Sequence, residues 1–434
     1  MWRVQRWRET IATAKEARIR DQAAFNMMTK MRRPEHLRVP GFSVSRLFKS
    51  TNGGDGSITL GLLPLSRYLN GHTFFVQRVD TLPEALPPLS VHQTYQFAEG
   101  AKFAHGKRQR LREKGLWLVD PDSYYNGRYL KVADAAANLP YESLSPSVDS
   151  RVAVKKHLAE ARHRTMLLRA LLGIAKATNR VLILPRMLCY CDFMWKEMQN
   201  CRVGGAERMR LPFDCPMDHV LVRVGRDCRE RDSRHLRTRA SAEKNERPPP
   251  MAARGHGNPP RGALPPAARC PLRPIPTHFE TLACAPRSSF QDTPRWFENN
   301  LGVEVREPNF LQNPRVPANM SSSMARVAMP AHALNDLEVA KLLAPHASAP
   351  VIELDGAIGA FCGFADRSQR HAFESESGML LHYKRTPFCM MEGSDNAPLF
   401  SQCCHPRKPG DKFFPCQYGF DDPEPLPACG AARV

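Results

Sequence analysis

The stretch VHQTYQFAEGAKFAHGKRQRLREKG, Val91–Gly115, gathers side chains suited to holding a metal or an anion. His92 ends a short apolar strand pattern, where a neutral imidazole can ligate a divalent cation. Gly106 and Lys107 follow. A glycine lets backbone approach a ligand closely, and a lysine brings a compact charge to a phosphate. Gly100 offers a second such approach. Together these residues suit a metal–diphosphate ligand. The plainer reading is a strand histidine satisfied by backbone, followed by a solvated basic helix. A second candidate is GLWLVDPDS, where Asp120 and Asp122 follow an apolar run and could hold a hard cation. Its plainer reading is a turn. Cys189, Cys191, Cys201 and Cys215 form a third group, and Cys389, Cys403, Cys404 and Cys416 a fourth. The C-x-C spacing fits a zinc site poorly and disulfides in an oxidising compartment better. The NMS sequon at Asn319 fits a secretory compartment.

These residues need elements to position them. The 434 residues suffice for two or three domains at about 100–200 residues each. The segment 1–145 mixes a helical start with short strands. GSITLGLLPLSRYLNGHTFFVQR (Gly56–Arg78), LSVHQTY and GLWLVDP read as strands, and GKRQRLREKG as a helix start. From about Val148 a long amphipathic helix runs to near Asn179, with apolar positions at Leu158, Ala161, Met166, Leu167, Ala170, Leu171, Ile174 and Ala175. VLILP follows as a buried strand of a parallel sheet. Helix followed by buried strand indicates an α/β fold. The module beginning at 146–223 is cysteine-rich. The segment 224–289 is rich in Arg and Pro without apolar periodicity and is expected to be disordered. Order returns at about Phe290 and extends through 290–434, where APVIELDGAIGAF reads as strand and turn.

The chain carries 62 Lys and Arg against 43 Asp and Glu, a net +19. That points to an anionic partner. Much of the charge sits in the Arg/Pro block, however, and no module interleaves aromatics with its basic runs. Nucleic acid is therefore not an expected partner. No signal peptide is visible, and no run of about 18 uncharged apolar residues could span a membrane.

Several motifs occur in order: DQAAFNMM (Asp21–Met28), GSITLGLLPLSRYLNGHTFFVQ, VHQTYQFAEGAKFAHGKRQRLRE, NRVLILPRMLCYCDFMW, LPFDCPMDHV, REPNFLQNPRVP (Arg306–Pro317) and GFADRSQRHAF (Gly363–Phe373). This series resembles the plant and algal arabinosyltransferases of glycosyltransferase family 77, across 1–223 and 300–375. The Arg/Pro block is foreign to that pattern. The resemblance implies the C-terminal part of a GT-A-type nucleotide-diphospho-sugar transferase domain over 1–145, followed by a second α/β module. It implies a retaining transfer of a pentose, arabinose, from a UDP-sugar to a hydroxyproline-rich glycoprotein or glycan of the cell wall. It also implies a divalent metal (Mn2+) and a place in the Golgi, with any membrane anchor outside this chain. His92, with His72 as the competitor, would ligate the metal. Gly106, Lys107 and Gly100 would meet the diphosphate, and Asp21 and Gln22 would sit beside the sugar and acceptor. The family's Asp-x-Asp motif is expected upstream of Asp21, so the chain reads as N-terminally truncated, and a non-catalytic accessory role stays open. The four cysteines from Cys189 to Cys215 are expected to pair within the second module. NRVLILP also resembles the helix–strand unit of fucosyltransferase-like domains; an ordinary buried strand is the plainer reading.

Overall fold

The computed structural model describes residues 63–94 apart from 65 and 84, 103–134, 150–192, 201, 209–222, 293–384 and 423–433, with 8, 9, 12, 47–50, 58–61 and 420–421. Asp21, Gln22, Gly100, the 224–289 segment and the cysteines from Cys389 to Cys416 lie outside them.

The chain forms two compact units. The smaller takes Met1–Asn70 and Val79–His92, and the larger takes Gly71–Arg78 and Gln93–Val434. In the smaller, β1 (Leu47–Ser50) pairs antiparallel with β2 (Ile58–Gly61). There β3 (Tyr68–Asn70) runs parallel to β4 (Ser90–His92), with Asn70 opposite His92.

The larger unit holds, in chain order, α1 (Phe103–Glu113), β5 (Tyr129–Val132), α2 (Ser150–Thr178), β6 (Val181–Ile183), β7 (Met187–Cys189), β8 (Phe213–Cys215), β9 (Leu221–Val222), α3 (Thr293–Leu301), β10 (Val305–Arg306), β11 (Ala325–Ala328), β12 (Leu334–Asn335), α4 (Asp336–Leu343), β13 (Val351–Asp355), β14 (Phe361–Gly363), α5 (Arg367–Leu380), β15 (His382–Lys384) and β16 (Phe420–Asp421). Five of these strands form a parallel sheet in the order β10-β6-β5-β13-β11. The chain runs outward from β5 through β6 to β10, then crosses to the opposite edge. The fold is mixed α/β, as the helix–strand pattern implied.

Alternation along the strands divides the apolar residues between two cores. Leu130, Val132, Leu182, Ile352 and Leu354 join the main core with α2. Tyr129, Ile183 and Val351 face a second cluster with Tyr125, Phe310, Val316 and Met320. Burial on both faces explains why β6 reads as an unbroken apolar run.

Helix α2 is packed on all sides between Leu167 and Ala175: Leu167, Leu168, Ala170, Leu171, Leu172, Ile174 and Ala175 are all buried. Gly173 permits the tightest approach. A Cβ there would lie 2.2 Å from the Phe361 ring. The helix stops at Asn179, whose φ of 50° is the left-handed conformation common just past a helix end. Arg180 then donates to four carbonyls, those of Tyr129, His346, Ala347 and Ala349. The Asn-Arg pair before VLILP thus ends the helix and ties the strand to its neighbours. Helix α4 starts with a capping box between Asn335 and Glu338.

Two expectations are corrected here. GLWLVDP forms no strand. The Leu118 and Asp120 carbonyls accept instead from Arg315, so a side chain replaces a sheet neighbour. His72–Val76 forms one wide helical turn rather than a strand, with His72, Phe74, Phe75 and Val76 all buried. Strand β5, which lies before the boundary drawn near residue 145, pairs with both β6 and β13 at the middle of the sheet.

The cysteine pairing resolves as Cys189–Cys215 and Cys191–Cys201, with a third bond, Cys362–Cys429. Among the described residues, no helix is long and apolar enough to cross a membrane.

Candidate active site

A cleft of about 250 Å³ opens beside the carboxyl ends of β6 and β10. Ligand sites of doubly wound sheets lie in this region, because loops diverge there. Five stretches of chain build it. The end of α1 presents Arg110, Glu113 and Lys114. The wide turn brings Phe75, and Arg78 follows two residues after it. The exits of β6 and β10 bring Arg186 and Asn309, and the end of β8 brings Asp214 to Met217. The Cys189–Cys215 disulfide ties β7 to β8, so Arg186 and Asp214 face each other across a fixed rim.

The charges in the cleft are interlocked. Arg78 donates to Asp214 at 3.0 Å, and Arg186 donates to both oxygens of the same carboxylate. Arg110, with a side chain 1% exposed, donates to Asp218 at 2.9 Å and to Glu113 at 3.4 Å. Lys114 lies over the Phe74 ring, 4.5 Å from its centroid. Gln109 donates to the other oxygen of Glu113. Burial pushes the Glu113 carboxyl up to about 7, and Asp218 adds to that rise, while Arg110 and Gln109 work against it. Glu113 keeps 20% of its side chain exposed. It is thus a carboxyl that can carry or release a proton near neutral pH. Asn309 donates through Nδ2 to the Arg112 carbonyl at 3.1 Å, which orients its amide. Its Oδ1 is buried with no hydrogen-bond partner among the described residues.

Behind the cleft lies a buried polar cluster. Asp192 Oδ2 accepts from Gln77 at 3.0 Å and meets His72 Nε2 at the same distance. His219 Nε2 stands 3.7 Å from Asp192 Oδ1. His219 follows Asp218, the partner of Arg110, so the cluster connects along the chain to the cleft wall. Below, Tyr124 donates to Glu307 at 2.7 Å, with the guanidinium of Arg306 3.9 Å from its ring. Burial raises the Glu307 carboxyl as well.

The residues singled out from sequence fall in different places. His92 ends β4 and is exposed, within the smaller unit. His72 is 3% exposed and bonded to Asp192. Gly106 and Lys107 lie inside α1, Gly106 buried and Lys107 exposed, so this glycine serves helix packing rather than a loop. Asp120 is gripped by Arg112 and Asp122 by Arg315, which matches the turn reading of that pair. Among the described residues, no group of three or more His, Cys, Asp or Glu is placed to hold a metal. Glu113, Asp214, Asn309, Asp192 and His219 were not singled out. Each sits inside one of the ordered motifs, respectively KRQRLRE, PFDCP, REPNF, CYCD and PMDHV. The motifs themselves were the signal, and the structure shows where they meet.

No family model matches the chain, and no solved structure matches it. Among curated proteins, it is 34% identical over 169 residues to the arabinosyltransferase XEG113 of Arabidopsis thaliana. That match takes in 38% of this chain and 24% of the relative, so the chain spans about a quarter of the protein it resembles.

Proposed function

We propose that the protein is a glycosyltransferase that moves a pentose, arabinose, from a UDP-sugar to a hydroxyproline-rich glycoprotein or glycan of the cell wall, with retention at the anomeric carbon. The observation that carries this reading is convergence. Motifs separated by more than two hundred residues, from NGHTFFVQR to REPNFLQ, meet around one polar cleft at the carboxyl ends of a parallel sheet. The likeness to an arabinosyltransferase supports the chemistry. The site of action on this reading is the Golgi lumen.

In the transfer, the acceptor hydroxyl oxygen bonds to the anomeric carbon as the bond to the diphosphate breaks. The hydroxyl proton passes to the departing phosphate oxygen. Mn2+, when bound, supplies charge to stabilise that leaving group. On this reading His92 serves the metal, with Gly106, Lys107 and Gly100 at the diphosphate, and Asp21 and Gln22 beside the sugar. His92 and Lys107 are both exposed and can meet a ligand. The alternative His72 would first have to give up its contact with Asp192.

The test measures UDP affinity with Mn2+ and UDP-arabinose turnover. His92→Ala and Lys107→Ala are each expected to weaken UDP binding about tenfold or more, since a charge-assisted contact is worth about 1.5–3 kcal/mol. Unchanged UDP affinity in both folded variants would remove this stretch from the donor site. Binding without turnover would favour the alternative, a non-catalytic accessory member of the same group.

A further inference from the structure

We infer that the cleft beside β6 and β10 holds a neutral, hydroxyl-rich sugar ring, and that this ring is bound through Glu113, Asp214, Arg186 and Asn309. Four observations lead there.

The cations of the cleft already face counter-groups. Arg186 shares Asp214 with Arg78, Arg110 stands between Asp218 and Glu113, and Lys114 covers an aromatic ring. A phosphate would compete with those carboxylates for Arg78, Arg186 and Arg110. A sugar hydroxyl, being both donor and acceptor, can add to each existing pair without breaking it.

The second observation is Asn309 Oδ1, a buried acceptor without a partner among the described residues, whose amide is oriented by the Arg112 carbonyl. Such an atom calls for a hydroxyl or N–H donor and disfavours an anion. The third is Glu113, which faces the cleft with a carboxyl near its midpoint at neutral pH and so can accept from a hydroxyl or donate to one. The fourth is size. About 250 Å³ lies just below the roughly 300–1,000 Å³ of small-molecule sites. That leaves room for a sugar ring within the cleft. Phe75 supplies an apolar wall against which the C–H face of a ring can lie.

The inference draws on the glycosyltransferase reading only for the use of the ring, as the end of an acceptor glycan. Binding itself follows from the chemistry of the cleft. Gln312, exposed at the mouth, offers a way to block it without touching the core.

The test is calorimetric or saturation-transfer NMR titration of the full chain with arabinobiose, a panel of other mono- to trisaccharides, UDP and pyrophosphate. Arabinobiose or a member of the panel is expected to bind, and Gln312→Trp and Glu113→Gln are each expected to weaken it about tenfold or more, with melting curves showing both variants folded. Binding of pyrophosphate or UDP that Gln312→Trp abolishes would overturn the inference in favour of an anion site. So would sugar affinity unchanged in both variants, or no sugar binding at all. Sugar binding without pentose transfer would leave the inference standing and count only against the enzymatic reading.

Discussion

Glu113 closes α1 at the cleft, and its protonation links the site to the stability of the unit. Its carboxyl is pushed up from 4.5 to about 7, chiefly by burial. The folded protein therefore holds this proton more tightly than the unfolded chain does. The resulting stability is fully present below about pH 4.5 and is lost as pH rises towards 7 and beyond. Glu113→Gln keeps an acceptor for Arg110 and removes the titration. Thermal melts are expected to coincide below about pH 4.5, with the variant gaining on the wild type up to about pH 8 by as much as about 3 kcal/mol. A gap of the opposite sign, or one independent of pH, would contradict this account of Glu113. The sequence pattern shows LREK as the end of a basic helix, and nothing local marks its glutamate. The partner that holds Arg110 in place beside it, Asp218, lies 108 residues further on. His92 and Lys107 were visible because their chemistry is local; Glu113 and Asn309 acquire theirs from chain brought in from far away.

Elements show the same division. Helix α2 and strand β6 were legible because a 3.6-residue apolar period followed by a short apolar run is a local signal. Strand β5 was not, since its four residues carry a lysine and its partner β13 lies more than two hundred residues away. GLWLVDP shows the reverse error, an apolar stretch with strand character whose carbonyls are taken by Arg315. NGHTFFVQ alternates too weakly to show that its histidine and both phenylalanines would all be buried in one wide turn. At this scale Gly173 offers a clean test. Replacing a mid-helix glycine by alanine ordinarily stabilises by about 0.5–1 kcal/mol. Here the new methyl would meet the buried Phe361 ring at 2.2 Å. Gly173→Ala is expected to cost about 1–3 kcal/mol in urea unfolding, and adding Phe361→Leu should return part of the loss. A neutral or stabilising Gly173→Ala would show that α2 does not approach β14 as closely as described.

For the whole molecule, net charge misleads and order of motifs informs. The +19 suggested an anionic partner, yet in the cleft Arg78 and Arg186 share Asp214 and Arg110 lies between Asp218 and Glu113. The ordered motifs carried more, because their spacing is set by the fold that brings them together, and a parallel sheet collects distant segments at its carboxyl edge. The central claim is that this edge serves glycosyl transfer. The most direct measurement is transfer of labelled arabinose from UDP-arabinose to a hydroxyproline-rich peptide or its arabinosides with Mn2+, using the protein and its Gln312→Trp variant. The account predicts labelled product with the unsubstituted protein and, in the variant, an acceptor KM raised about tenfold at an unchanged donor KM. No transfer with the unsubstituted protein, or transfer indifferent to Gln312→Trp, would contradict it.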